Sequence, residues 1–322
     1  MPSPGRVPRI LFIKTSSLGD VVHHCPAVTE AGRRLPGAAI DWVVEEAFAE
    51  IPALHRSVRR TIPVAIRRWR TSLWRPAVWS EIAAFVAALR KERYDAVIDA
   101  QGLLKSALIA VLASGRRYGL DRVGAREALA TLFYDTRHAV SWDLHAVERN
   151  RRLTAAALGY AAEGACDYGL RVEGEAPLAP GAPFAVLLTM SSGADKLWPE
   201  PSWVALGRWL AARGVRSVLP WGSPGERERC LRIAREIEGA LVPERMTLVE
   251  LARLMRAARA AVGVDTGLAH FAVALGVPSL GLYCGTDPAQ TGLYGGTRTS
   301  NLGGVGAAPT PAAAQAALAE LL

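Results

Sequence analysis

Short apolar runs bounded by polar residues alternate with stretches of helical period along the chain. Arg9 to Lys14 (RILFIK) reads as a strand, the loop Thr15 to Gly19 follows, and Asp20 to Leu35 carries a helical pattern. The order then repeats, with a strand at Ile40 to Val44, a helix at Trp79 to Arg93, a strand at Ala96 to Asp99 and helices at Lys105 to Leu112 and Asp143 to Leu158. Gly159 to Pro183 is rich in Gly, Pro, Ala and Glu and reads as a linker. Beyond it the alternation restarts, with strands at Phe184 to Thr189, Ser217 to Leu219, Ala261 to Val264 and Pro278 to Tyr283. Helices are expected at Pro201 to Arg213, Glu226 to Ile237, Gly267 to Leu275 and from Thr247, whose pairing with Glu250 makes a capping box, to Ala258. Thr310 and Pro311 open an Ala-rich last helix. Strands alternating with helices build parallel sheets covered on both faces, so the expectation is an α/β protein of two similar domains, 1–165 and 166–322, the last helix able to pack back on the first.

A length of 322 residues, half of them hydrophobic and 21% charged, suits two domains with buried cores and excludes a largely disordered chain. The run Thr266 to Thr286 has no Asp, Glu, Lys or Arg, although His270 sits inside it, and is long enough to suggest a membrane span. Gly276 and Pro278 interrupt it, so it reads as a buried helix, a turn and a buried strand. Cys25, Cys166, Cys230 and Cys284 form no metal-like or C-x-x-C spacing, which points to a reducing compartment, and the apolar run at Ile10 to Ile13 is too short for an export signal. The net charge of +8 is uneven: residues 1–160 hold 24 Lys+Arg against 15 Asp+Glu, a net +9, and the remainder holds 14 against 15, a net −1. The first half therefore attracts an anionic partner.

Open parallel sheets bind ligands beyond the C-terminal ends of their strands, so the loops after Lys14, Thr189, Leu219 and Val264 are where chemistry is expected. In the first of them, Asp20 is either a helix N-cap or a general base that the helix dipole keeps ionised, and the two roles are compatible. Ser191-Ser192-Gly193-Ala194-Asp195-Lys196 offers hydroxyls and a cation to a phosphate without Walker spacing, although an ordinary surface loop has the same composition. Asp265-Thr266-Gly267-Leu268-Ala269-His270 begins a helix after a buried strand, either as a capped helix with a core histidine or as an anion site. Two such loops in one domain suit a diphosphate lying across both. No G-x-G-x-x-G follows the first strand, and no Asp-x-Asp or other metal-ligand spacing occurs, so neither a dinucleotide cofactor nor a metal is expected. Arg67-Arg68-Trp69-Arg70, with Trp74 and Arg75, reads as a solvated helix face with inward tryptophans, or as a site for phosphate, carboxylate or anionic lipid headgroups; nucleic acid ranks below these.

The segments IKTSSLGDVVHHCPA, YDAVIDAQGLLKSALIA, HAVERNR, KLWPEPSW, PWGSPGE and GVDTGLAHFAVALGVPSLGLY, in this order along nearly the whole chain, resemble the ADP-heptose lipopolysaccharide heptosyltransferases. The resemblance implies a GT-B fold, two facing Rossmann-like α/β domains with a central cleft. It implies inverting, metal-independent transfer of heptose from ADP-L-glycero-β-D-manno-heptose to the first Kdo of Kdo2-lipid A, by a protein peripheral to the cytoplasmic face of the inner membrane. On this resemblance Asp20 is the catalytic base; Lys196, Ser191 and Ser192 hold the diphosphate; Glu226 takes the ribose hydroxyls and Met246 packs on adenine. Asp265 binds heptose hydroxyls, Thr266 and Gly267 give backbone donors, and His270 shares that motif. Arg67, Arg68 and Arg70 meet the acceptor's anionic groups, with Arg126, His145 and Arg149 nearby, and domain closure would bring donor to acceptor and exclude water. A GT-B enzyme with another donor or acceptor, such as heptosyltransferase II, and a non-catalytic module binding a phosphorylated ligand are the rival readings.

Overall fold

The run RILFI forms β1 (Arg9–Ile13) at the middle of a parallel sheet, which is why every position after Arg9 is apolar and buried. Leu11 and Ile13 face one core, and Phe12 faces the other way, its ring 4.9 Å from that of His24. A computed structural model describes residues 7–178, 180–296 and 298–322. The chain divides into two compact units with the boundary between Leu170 and Arg171. Hydrogen bonds to backbone carbonyls agree with that position: Gly169 C=O accepts from Arg56 N–H in the first unit, while the carbonyls of Val172 and Glu173 accept from the Arg256 and Arg253 side chains in the second.

The first unit also contains β2 (Ala39–Glu45), β3 (Val58–Val64), β4 (Arg93–Asp99), β5 (Ser114–Leu120) and β6 (Thr136–His138), in the order β3-β2-β1-β4-β5-β6 and parallel throughout. Helices Leu18–Arg34 and Ala146–Leu158 pack together on one face. Helices Pro76–Arg90 and Leu104–Leu112 cover the other, burying Val78, Phe85, Leu89 and Ile109 against Leu11, Ile13, Val43 and Val97. The second unit pairs β7 (Phe184–Leu188), β8 (Arg216–Val218), β9 (Ala260–Val264), β10 (Ser279–Tyr283) and β11 (Thr299–Gly303) in the order β11-β10-β9-β7-β8, again all parallel. Its core includes Trp198 and Trp203, edge to face at 5.1 Å. The last helix, Pro311–Leu321, buries Ala314, Leu318 and Leu321 in this same core.

The apolar runs form the expected strands, and the uncharged run from Thr266 is helix Gly267–Ala274, a turn at Gly276 (φ +77°) and β10. Thr247 caps Leu248–Ala257 through the expected box with Glu250. β3, β5, β6 and β11 lack an apolar run and leave no pattern to read. β3 carries Arg59, Arg60 and Pro63; both arginines bond the fully buried Asp41, to which Tyr94 Oη also donates at 2.8 Å, and proline is tolerated because β3 is an edge strand. The helix expected from Asp143 begins at Ala146, because His145 caps it, its Nδ1 accepting from Val147 N–H at 3.2 Å.

The helices Leu18–Arg34 and Ala146–Leu158 are joined by a buried ion pair, Arg151 Nε to Glu30 Oε2 at 2.9 Å. Glu30→Ala leaves this guanidinium without its interhelical partner, and a loss of about 3 kcal/mol in chemical denaturation is expected. An unchanged midpoint would show that the pair contributes nothing to stability.

Candidate active site

The loop after β1 is held by the loop after β4. Gln101 Oε1 accepts from the N–H groups of Thr15 and Ser16 at 3.1 and 3.2 Å, and Lys14 Nζ donates to Ala100 C=O at 2.7 Å. Helix Leu18–Arg34 then opens with Ser17 as its N-cap, so Asp20 is not the cap but the third helical residue, and its Oδ2 reaches back to Ser17 N–H at 3.0 Å. This turn aims Asp20 Oδ1 at Arg126 Nη2, 2.8 Å away, and at Lys14 Nζ, 4.0 Å away. Arg126 comes from the loop after β5, which approaches closely because residue 102 is glycine: a Cβ there would lie 3.3 Å from Arg126 N, and its φ is +68°.

Burial opposes the charge on Asp20, but Lys14, Arg126 and the Ser17 N–H outweigh it and hold the carboxyl below its ordinary 3.8. Burial pushes Lys14 down to about 8, against the pull of Asp20. Lys14, Asp20, Gln101, Arg126, Trp142 and Arg149 line one small cavity, with the Arg149 guanidinium 3.9 Å above the Trp142 ring. Three cations thus surround one carboxylate.

The other acceptor-side residues divide. His145 is buried and spends Nδ1 on its helix cap, while its ring meets His23 edge to face at 5.5 Å. Arg67, Arg68 and Arg70 lie on a single turn, Ile66–Trp69 and its end, directly after β3. Arg67 N–H donates to Glu45 Oε1, and Glu45 N–H donates to Thr15 C=O, so this turn is tied to the Asp20 loop. The Arg67 guanidinium lies over Phe48, Arg70 is exposed, and Arg68 is already engaged by Glu46 and Glu81. Of the two tryptophans expected to point inward, Trp69 does and Trp74 does not.

In the second unit β7 and β9 are neighbours, so their following loops meet. Lys196 Nζ is 2.6 Å from Asp265 Oδ2, Thr286 Oγ1 donates to the same oxygen at 2.9 Å, and Ser191 Oγ donates to Asp265 C=O at 2.6 Å. Burial opposes ionisation of Asp265, yet the nearby His270, its Nε2 3.9 Å away, with Lys196 and Thr286 holds that carboxyl well below its usual range. Ser192 is exposed beside them. Thr266 has extended backbone (φ −144°, ψ 149°) and caps Gly267–Ala274, directing the first N–H groups of that helix outward. A second cavity beside this loop is lined by Met190, Trp221, Glu226, Met246, Leu251 and Leu268. Glu226 Oε2 accepts from Gly222 N–H at 2.7 Å, which leaves its other oxygen for a ligand hydroxyl. A cavity lined mainly by apolar side chains with one carboxylate, next to the loop of Thr266 and Gly267, suits a nucleoside diphosphate.

Sequence reasoning did not single out Lys14, Gln101, Thr286, Trp142, Met190 or Trp221. For Lys14 a signal existed: a charge directly after the apolar run Ile10 to Ile13. For the others the contact is made only by folding. Among the described residues no group of three His, Cys, Asp or Glu side chains is placed to hold a metal ion.

Two units of parallel sheet flanked by helices, with charged loops gathered after the strands of each, define the GT-B class of glycosyltransferases. The profile of glycosyltransferase family 9 (heptosyltransferase) matches residues 82–317, and the chain belongs to this family. Lipopolysaccharide heptosyltransferase 1 of Pseudomonas aeruginosa is 50% identical over 289 residues, 89% of this chain and 81% of that protein. The Escherichia coli K12 protein of the same name is 46% identical over 290 residues, 89% and 91% of the two chains. The solved structure of E. coli heptosyltransferase WaaC with ADP superposes with a TM-score of 0.90 at 42% identity, covering 98% of this chain and all (100%) of that one. The same protein with ADP-2-deoxy-2-fluoro heptose gives 0.87 at 41%, with the same coverage, 98% and 100%.

Lys196→Ala removes the cation of the second-unit site, and ADP binding measured by calorimetry is expected to weaken roughly ten- to hundredfold, the usual worth of a charge-assisted contact. Unaltered affinity would remove Lys196 from the diphosphate site.

Proposed function

We infer that the protein transfers L-glycero-D-manno-heptose from ADP-L-glycero-β-D-manno-heptose to the first Kdo of Kdo2-lipid A, with inversion and without a metal, in building the lipopolysaccharide inner core. Asp20 accepts the proton of the Kdo hydroxyl as that oxygen attacks the heptose anomeric carbon. The bond from this carbon to the phosphate oxygen breaks, and ADP leaves with the bonding pair. Lys196 and the N–H groups at Thr266 and Gly267 offset the charge that develops on the diphosphate. Met246 packs on the adenine, Glu226 takes the ribose hydroxyls, and Asp265 orients the sugar. The E. coli structures hold ADP and an ADP-heptose analogue, the ligand chemistry that the Lys196–Asp265 pair and the adjoining cavity would accept here.

The observation that carries the reading is the surplus of cations around Asp20. A carboxylate held below its ordinary range is a weak base, so its counter-charges must be shared before it can take a proton. An acceptor bearing its own carboxylate and phosphates does this: it draws on Arg126 and Arg149, and Asp20 gains basicity as the acceptor binds. Because the acceptor is a lipid, the protein works at the cytoplasmic face of the inner membrane as a peripheral protein. Among the described residues no helix is long and apolar enough to cross a membrane.

Activity with ADP-heptose and Kdo2-lipid A in the presence of EDTA tests substrates and metal independence together; transfer only from another nucleotide sugar, or only after metal is restored, overturns the reading. Asp20→Ala is expected to lower turnover roughly a hundredfold or more with ADP affinity unchanged. A non-catalytic binding module predicts no such loss. The pH profile gives a further check. The folded-state pKa of Asp20 is depressed below 3.8, so the base stays ionised, and its acid limb in kcat/KM lies below that pH. Arg126→Ala removes one of the charges responsible, and the limb is expected to move upward; a limb that stays in place would mean another group sets it.

A further inference from the structure

Helices Pro76–Arg90 and Leu104–Leu112 bury one side against the first sheet, and their outer sides are apolar as well. Leu104, Leu108 and Val111, spaced i, i+4 and i+7, are 36%, 48% and 41% exposed, and Lys105 is the only charged residue of that helix. The neighbouring helix turns Trp79, Ala83, Ala84 and Ala87 to solvent. Its one acid, Glu81, is neutralised by Arg68. The 3-10 turn Ala128–Phe133 packs beside Leu104–Leu112 and adds Leu129 and Leu132, 64% and 67% exposed. Ahead of the first helix Trp74 is 74% exposed, in a loop held by Trp79 Nε1 donating to Leu73 C=O at 2.9 Å.

Soluble surfaces scatter large apolar side chains singly and do not gather them on adjoining helices. The border here is basic: Arg67, Arg70 and Arg75 stand beside Trp74, Arg90 and Lys91 end the first helix, and Arg116 lies past the second. The half of the chain that carries this face also carries the net +9. Exposed tryptophan with aliphatic side chains on helices, edged by Arg and Lys, matches the lipid–water interface, where rings sit at headgroup level and cations meet phosphates. A protein partner of acidic character would meet the border but find no charge to pair with in the middle.

We propose that this face is the surface by which the protein lies on an anionic bilayer, Trp74, Trp79, Leu108 and Leu132 entering the headgroup region while the bordering arginines contact lipid phosphates. It rests on the proposed function in that the acceptor is lipid-borne, and it assigns to the fold the place where the enzyme meets the membrane. Apolar insertion adds a component of binding that salt does not screen.

The test is sedimentation of the full-length protein with phosphatidylglycerol–phosphatidylethanolamine vesicles at salt high enough to screen surface charge. The comparison is a variant carrying Trp74→Ser, Leu108→Glu and Leu132→Glu, with Val305→Glu, at an exposed position of the second unit, as control. All four positions are exposed, and retained circular dichroism and ADP affinity certify folding. The salt-resistant partitioning is expected to fall at least about tenfold in the triple variant and not in the control. Transfer to vesicle-borne Kdo2-lipid A should fall with it, while transfer to a deacylated, water-soluble acceptor keeps its rate. Partitioning equal in wild type and triple variant overturns the proposal, as does a wild type with no salt-resistant component. A concentration-dependent dimer that the triple substitution dissolves, with vesicle binding intact, would instead make the face a contact between copies and the proposal wrong. If the wild type binds vesicles through this face yet transfers heptose to neither acceptor, the docking surface stands and the functional reading falls.

Discussion

Every strand pairing in both sheets is parallel, and that constraint decides where chemistry can occur. Parallel strands end together at one edge, so the loops that follow them are forced into contact however far apart they lie in sequence. In the first unit this brings Lys14 and Asp20 after β1 to Gln101 after β4 and Arg126 after β5. In the second it brings Lys196 after β7 to Asp265 after β9 and Thr286 after β10. Gly102 serves this convergence by admitting the Arg126 backbone, and Gly285 does so in the second unit, where a Cβ would lie 2.7 Å from Asp195 C=O.

Three aspartates show what sets charge in these interiors. Asp20 and Asp265 are shielded from water, yet each has a Lys or Arg against it and is held below the usual carboxylate range. Asp99 is fully buried and accepts from Tyr134 Oη, Ser106 Oγ and two backbone N–H groups, all neutral donors, and burial raises its pKa. A cation at contact distance overcomes desolvation where neutral hydrogen bonds do not. Asp99 therefore fixes the loop that carries Gln101 and Gly102, while Asp20 and Asp265 are left charged at the ligand edge. The same accounting explains part of the basic first half: Arg59, Arg60, Arg68 and Arg151 answer carboxylates of the fold, and Arg126 answers Asp20.

Much of this was legible in sequence because central parallel strands are buried on both faces and so appear as unbroken apolar runs. Strands β3, β5, β6 and β11 were not, since most of their residues are partly or fully exposed and β3 depends on a buried aspartate from β2 to neutralise its arginines. The positions of Asp20, Lys196 and Asp265 in loops after apolar strands were legible, while their proposed roles rest on the motifs shared with the family. The Asp20–Arg126 contact was not, because 106 positions separate the two, and neither was the apolar outer face, because helix Leu104–Leu112 looks like an ordinary core helix until its neighbours are known.

The sequence by itself determined the alternation of strand and helix, the two-unit α/β class, the basic first half and the family, since these depend on local periodicity, composition and motif order. Only the tertiary structure decided which cation faces which carboxylate, that Ser17 and not Asp20 caps the first helix, and which helix face is left to solvent. Those outcomes follow from burial and distance between residues remote in the chain, and pairwise energies of that kind have no expression in local pattern.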